Sequence, residues 1–194
     1  MIDKKDITGI LLAGGKSSRM GTDKGFLKLN NKSFIEYSIE ALQPLVSELL
    51  IVSNNPDYDV FRMKRVDDLI KDAGPLAGIY SGLKHSNTEY NLVLSCDIPL
   101  INTGILEKLI DAQDGFQDVV QIVSNGKSMP LIAMYKKACE TTFYKLLQNG
   151  ERRMHVAIKQ CKVKNIVLNP ENDFFTKNIN TPDELKTIAD VNNN

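Results

Sequence analysis

The chain has 194 residues, enough to bury a sizeable core without disulfides or metals, and its length points to one domain over 1–194. With 42% hydrophobic and 25% charged residues it has the balance of an ordinary globular protein, not of a fibrous or disordered one. Lys plus Arg and Asp plus Glu number 24 each, so the formal net charge is +0, which argues against a chain whose main task is to grip nucleic acid or an anionic membrane. No apolar run approaches the ~18 residues of a membrane-spanning helix. The run Ile10–Ala13 ends in glycines and is too short for the apolar centre of a secretion signal. Cys96, Cys139 and Cys161 form no CxxC and are odd in number, so the expectation is packed thiols in a reducing cytoplasm.

The first predicted element is a buried strand, the apolar run Ile7–Ala13, which ends at Gly14-Gly15. Ser33–Leu42 follows with Phe34, Tyr37, Ile39 and Leu42 at roughly helical spacing. Leu49–Ser53 reads as a second strand. Gly78–Lys84 reads as a helix behind Gly74-Pro75, with Pro suited to a first turn. Leu92–Cys96 is a third continuous apolar run, and Thr103–Ala112 an amphipathic helix. Val119–Val123 and Leu131–Tyr135 are strand candidates on either side of Gly126, which suggests a hairpin or a short excursion. Lys136–Gln148 and Arg152–Gln160 read as helices, and Thr181-Pro182-Asp183-Glu184 as the capped start of a last one. Continuous apolar strands alternating with helices predict an α/β fold with a mainly parallel, Rossmann-like sheet flanked by helices. The nucleotide-binding half is expected over about 7–112, and a less regular region beside the sheet over about 113–169.

Three segments carry chemistry. The strongest is Leu12-Ala13-Gly14-Gly15-Lys16-Ser17-Ser18-Arg19-Met20-Gly21-Thr22-Asp23-Lys24, directly after the first strand. In open α/β sheets ligands bind outside the carboxyl ends of the strands. Gly14 and Gly15 let backbone N–H groups approach a ligand closely. Arg19 offers a planar fork of donors and Lys24 a compact charge, so the loop reads as a cradle for several phosphates. It matches neither the Walker A loop nor G-x-G-x-x-G. The second segment is Ser95-Cys96-Asp97-Ile98-Pro99. A carboxylate at the end of a buried strand needs a partner, and Mg²⁺ bridges one or two carboxylates to phosphates, so Asp97 is the metal candidate, with a turn-capping aspartate as the alternative. The third is Val66-Asp67-Asp68 with Asp72-Ala73-Gly74-Pro75-Leu76-Ala77-Gly78, where Asp68 or Asp67 could line the cleft and the glycines allow a helix to pack closely. Asn178-Ile179-Asn180-Thr181-Pro182 could cap the last helix or lend a carboxamide to the site. Gly150-Glu151-Arg152-Arg153 reads as a solvated basic turn, with phosphate binding as the sharper option. His85 and His155 have no spaced ligand partner, so no zinc site is expected.

The loop LAGG-K-S-S-R-M-G-T-D-K resembles the signature of nucleotidyltransferases with a Rossmann-like sheet. Together with GPLAGI at 74–79, CDIP at 96–99, GERR at 150–153 and NINTPDEL at 178–185, it closely resembles the molybdenum cofactor guanylyltransferase family, over about Ile7 to Ile188. The resemblance implies transfer of GMP from GTP to molybdenum–molybdopterin, with release of pyrophosphate. It implies that Leu12, Ala13 and Gly14 hold the nucleotide by backbone contacts, where the loop reading adds Gly15, and that Lys24 holds its phosphates, Asp68 contacts the nucleotide, and Asp97 binds both nucleotide and Mg²⁺. Arg19, Lys24 and Asp97 are the residues expected to act in the transfer. Molybdenum-insertion proteins and molybdoenzymes are the implied protein partners; no nucleic acid and no membrane are expected. Family members often have His-Pro before the fifth strand, where Met129-Pro130 stands here, so no histidine is given a role there. From the residues alone, base choice stays open between guanylyl and cytidylyl transfer, a sugar phosphate is an alternative acceptor, and a non-catalytic nucleotide-binding module is the competing class.

Overall fold

The structure, a computed structural model of the chain, describes residues 2–14 and 23–191. The chain opens with β1 (Ile7–Leu12) and a small hairpin, β2 (Lys28–Leu29) and β3 (Lys32–Ser33), leading into α1 (Phe34–Leu42). Ser33 starts α1 in a capping box, its backbone N–H donating to Glu36 at 2.7 Å. β4 (Glu48–Val52), β5 (Lys64–Val66), α2 (Gly74–His85), β6 (Tyr90–Ser95) and α3 (Thr103–Ala112) follow. The later half adds β7 (Val119–Ser124), β8 (Lys127–Lys136), α4 (Cys139–Gln148), α5 (Met154–Ile158), β9 (Val163–Val167) and α6 (Pro182–Val191). No helix among the described residues is long and apolar enough to cross a membrane.

One seven-stranded sheet runs in the order β5-β4-β1-β6-β8-β7-β9. All neighbouring pairs are parallel except the two made by β8, which runs against both β6 and β7. Side chains of β1 alternate between the faces: Ile7 and Leu11 join one core with α1 and α3, while Ile10 joins a second core with α2 and α4. Both faces are covered, which is why the strands read as unbroken apolar runs. The predicted mainly parallel, Rossmann-like α/β fold is therefore what the chain adopts.

Differences from the sequence reading are local. The stretch expected to be less regular supplies β7, β8 and β9 to the same sheet. Asn125 and Gly126, with φ of 50° and 69°, make the tight turn joining β7 to β8. The helix expected from Lys136 starts only at Cys139, because the strand β8 runs on to Lys136. β5 and β9 carry too few apolar residues to stand out as strands, and both lie at sheet edges.

Two glycines bring α2 down onto the sheet. A Cβ on Gly82 would lie 2.4 Å from Ile10 Cγ2, and one on Gly78 3.2 Å from Leu12 Cδ2. This approach carries the start of α2, Gly74-Pro75, to the carboxyl edge of the sheet. The chain runs from β1 to β4 and β5 on one side, then crosses back through α2 to β6 on the other, so β1 sits at the topological switch point where α/β sheets open a crevice.

Candidate active site

A cleft of about 700 Å³ opens at this switch point, with Ala13, Gly14, Ser53, Asp68 and Ser95 among its lining residues. The ladder extends one residue past the strands: Ala13 N–H donates to Val52 O at 3.0 Å, Cys96 N–H to Leu12 O at 3.1 Å and Ser53 N–H to Val66 O at 3.0 Å. These bonds fix the departure of the four loops that form the cleft wall. Gly14 leaves the strand with φ of +104°, and a Cβ there would approach Ser53 Oγ to 3.1 Å. Only glycine takes that backbone without strain. Leu12, Ala13 and Gly14 thus lie where the sequence put them; Gly15 and Arg19 lie outside the described residues.

Asp97 follows β6 and is held from three directions. Ser95 Oγ donates to its Oδ1 at 2.7 Å, Asn178 Nδ2 to its Oδ2 at 3.2 Å, and Lys24 Nζ lies 3.4 Å from Oδ2. Lys24 also donates to Asn180 Oδ1. The Lys24 and Asp97 side chains keep only 23% and 16% of their exposure. The Asn178–Asn180 segment reaches this spot because Ile179 N–H donates to Asp97 O at 2.9 Å and Ile179 is buried beside Leu29 and Phe34. Thr181 Oγ1 accepts from Glu184 N–H at 3.2 Å, so the cap falls to Thr181 and both asparagine carboxamides are left for the site.

Asp68 lies at the end of β5. Its Oδ1 accepts from Ile70 N–H at 3.2 Å and Ser81 Oγ at 3.1 Å, and its own N–H donates to Asn54 at 2.9 Å. Burial raises the Asp68 carboxyl above its ordinary value, against the lowering effect of those two bonds. Burial likewise pushes the Cys96 thiol up to about 12, which makes it a neutral packing group under the loop and not a nucleophile. Asp72, at φ of 55°, also borders the cleft.

The basic turn at 150–153 turns inward on itself. Arg153 donates from Nε and Nη2 to Glu151 at 2.8 and 2.6 Å, and these bonds hold the Glu151 carboxyl at about 2. The Arg153 fork is therefore engaged by a carboxylate of its own turn. Sequence reasoning missed Ser95 and Tyr58. Ser95 stands two residues before Asp97 and was legible as its hydroxyl partner; Tyr58 carries no motif and is found only through the fold.

A Rossmann-like sheet with a glycine turn after its first strand, a lysine from that turn and an aspartate from the strand beside it defines a nucleotidyltransferase. A family model described as "MobA-like NTP transferase domain" matches residues 9–163. A Flavobacterium johnsoniae protein named "Probable molybdenum cofactor guanylyltransferase" is 38% identical over 184 residues, covering 94% of this chain and 96% of its own. The molybdenum cofactor guanylyltransferase of Vibrio vulnificus is 34% identical over 185 residues, 94% of each. In fold, the chain resembles the crystal structure of molybdopterin-guanine dinucleotide biosynthesis protein A from Archaeoglobus fulgidus, with a TM-score of 0.81 over 96% of this chain and 98% of that one, at 23% identity. The chain belongs to the molybdenum cofactor guanylyltransferase family of MobA-like NTP transferases.

Proposed function

We propose that the protein transfers GMP from GTP to the terminal phosphate of molybdenum–molybdopterin, releasing pyrophosphate and forming the guanine dinucleotide. The observation that carries this reading is the meeting of Lys24 and Asp97, 3.4 Å apart, beside the glycine-turn cleft that Asp23 and Ser95 line, in a chain 38% identical to a relative of that name. A phosphate oxygen of the acceptor attacks the α-phosphorus, the bond to the β-phosphate breaks, and pyrophosphate leaves. The attacking oxygen is already anionic, so no strong general base is needed. Catalysis then rests on alignment and on neutralising charge that grows on the leaving group.

Leu12, Ala13, Gly14 and Gly15 hold the nucleotide through backbone N–H and C=O groups, and Asp68 contacts it from β5. Lys24 swings from Asp97 onto the phosphates, and Arg19 adds its fork of donors. Asp97 is a single hard-oxygen donor at a phosphate site, and among the described residues no group of three or more His, Cys, Asp or Glu gathers to hold a cation by itself. That donor set suits Mg²⁺, which takes one or two carboxylates and completes its shell with phosphate oxygens and water. Bound there, Mg²⁺ would offset charge on the triphosphate. Three free cysteines fit a reducing cytoplasm as the place of work. The product passes on to molybdenum-insertion proteins and molybdoenzymes.

The test is product analysis. Purified protein is given molybdenum–molybdopterin, Mg²⁺ and either GTP or CTP. Pyrophosphate release with GTP and a pterin product heavier by one GMP are expected. A CMP adduct, or no pyrophosphate with either nucleotide, would overturn the reading.

A further inference from the structure

Asp23, the residue before Lys24, is gripped more firmly than a surface loop requires. Its Oδ1 accepts from Tyr58 Oη at 2.5 Å and from Gly25 N–H at 3.2 Å, and its Oδ2 from Asn55 Nδ2 at 3.3 Å. Two of these three donors, Asn55 and Tyr58, arrive from a different part of the chain, the segment after β4. Asn55 is itself fixed there, its N–H donating to Ser53 Oγ at 3.2 Å and its Oδ1 accepting from Asp57 N–H at 3.0 Å. Tyr58 is fully buried, with its ring stacked on Phe26 at 4.6 Å between centroids. The backbone passes so near that a Cβ on Gly25 would fall 2.2 Å from the Tyr58 oxygen, so that glycine and the phenol fit only each other. Burial raises the phenol above its ordinary value, so it stays a proton donor. Asp23 also starts the short 3-10 turn Lys24–Phe26, so the carboxylate that Tyr58 holds sets where the Lys24 backbone begins.

We propose that Tyr58, assisted by Asn55, is a positioning residue for the transfer reaction: by clamping the Asp23 carboxylate it fixes the point from which Lys24 reaches the phosphates. The Lys24 side chain is long and rotamer-rich, and anchoring its base leaves less freedom to lose when its tip binds an anion. A shift of about 1 Å in a group that aligns substrate can cost on the order of 10²-fold in rate. The proposal rests on the phosphate role given to Lys24 above.

The experiment is a double-mutant cycle on pyrophosphate release with GTP and molybdenum–molybdopterin, with melting temperature measured alongside. Tyr58→Phe keeps the ring and its stacking but removes the donor. It is expected to lower kcat roughly ten-fold, while the melting temperature falls by no more than the several degrees that one charge-assisted bond is worth. In a Lys24→Ala background the same change should slow the enzyme no further, because the group it positions is gone. Should Tyr58→Phe fail to fold, Asp23→Ala opens the clamp from its other side and runs the same cycle. Unchanged kcat in Tyr58→Phe, or losses that multiply in the double variant, would overturn the proposal. If Lys24→Ala alone keeps full activity, the role of Lys24 is itself refuted and the positioning argument falls with it.

Discussion

Replacing Asp97 with Asn exchanges one carboxylate oxygen for an NH₂, and the surroundings make the consequence calculable in outline. The carboxylate now accepts from Ser95, Asn178 and Lys24. An amide can keep one oxygen, and its 2.7 Å bond from Ser95 fixes which one. The NH₂ then faces Asn178 Nδ2 and Lys24 Nζ, donor against donor. Losing one charge-assisted bond is worth about 1.5–3 kcal/mol, which at roughly 2–4 °C per kcal/mol for a chain of this size lowers the melting temperature by several degrees but leaves the fold standing. Activity should suffer more, since the negative charge proposed to hold Mg²⁺ is gone. A transition-state loss of about 4 kcal/mol corresponds to roughly 10³-fold in turnover. Steady-state pyrophosphate release across a Mg²⁺ titration is the assay. The variant should need more Mg²⁺ and recover part of its rate at the high end. Superimposable curves for the two proteins would refute the argument, because a carboxylate that only shapes a turn is replaced by Asn at little cost.

Gly14→Ala puts a Cβ on a backbone with φ of +104° and 3.1 Å from Ser53 Oγ; a stability loss of about 1–2 kcal/mol and weaker GTP binding are expected, by denaturant melts and calorimetry. Asp68 is raised by burial, so its charged form is penalised in the folded state. Below its ordinary value of 3.8 the group is protonated both folded and unfolded and the penalty is absent; the penalty grows as pH rises and is complete above the raised folded value. Asp68→Asn should therefore be at least as stable as the parent at neutral pH, lose that advantage in acid, and bind GTP less well; an advantage that grows as pH falls would contradict the sign. GTP with Mg²⁺ at about 100 times its Kd should add about 2.7 kcal/mol and raise the melting temperature more than CTP or ATP does. Equal shifts for the three would remove the case for guanine.

Three of the four strands whose ends enclose the cleft were legible because each is buried on both faces. β1, β4 and β6 each carry an unbroken run of Ile, Leu and Val at 10–12, 49–52 and 92–94, and the turn chemistry after β1 marks where the ligand comes. β5 and β9 were not legible. Each pairs with one neighbour at a sheet edge, so a sequence such as Lys64-Arg65-Val66 suffices, and only the ladder from β4 makes it a strand. The site divides in the same way. Gly14, Lys24, Asp68 and Asp97 stand in local patterns whose spacing has a chemical reason. The long-range contacts are made by the fold: Asn178, readable only as a carboxamide that could reach the site, meets Asp97 across 81 residues, and Tyr58, which carries no motif, meets Asp23 across 35. Periodicity carries no record of such distances.

The charges around the cleft bear on how a triphosphate could enter at all. Asp23, Asp68 and Asp72 line it and Asp97 stands beside it, so a bare polyanion would approach several carboxylates. Two like charges 4 Å apart repel by about 4 kcal/mol at an effective dielectric of 20. The structure already disposes of part of that field. Three donors engage Asp23 and three engage Asp97, one of them the Lys24 ammonium. If Lys24 moves to the phosphates as proposed, Asp97 would lose its cation as the triphosphate arrives. On the proposed reading Asp97 would then be free to hold Mg²⁺ and the Lys24 ammonium free to meet the phosphates, so nucleotide and cation would favour each other's binding. Each partner would remove the repulsion that excludes the other, so GTP affinity should rise steeply with Mg²⁺ in the parent and only at higher Mg²⁺ in Asp97→Asn.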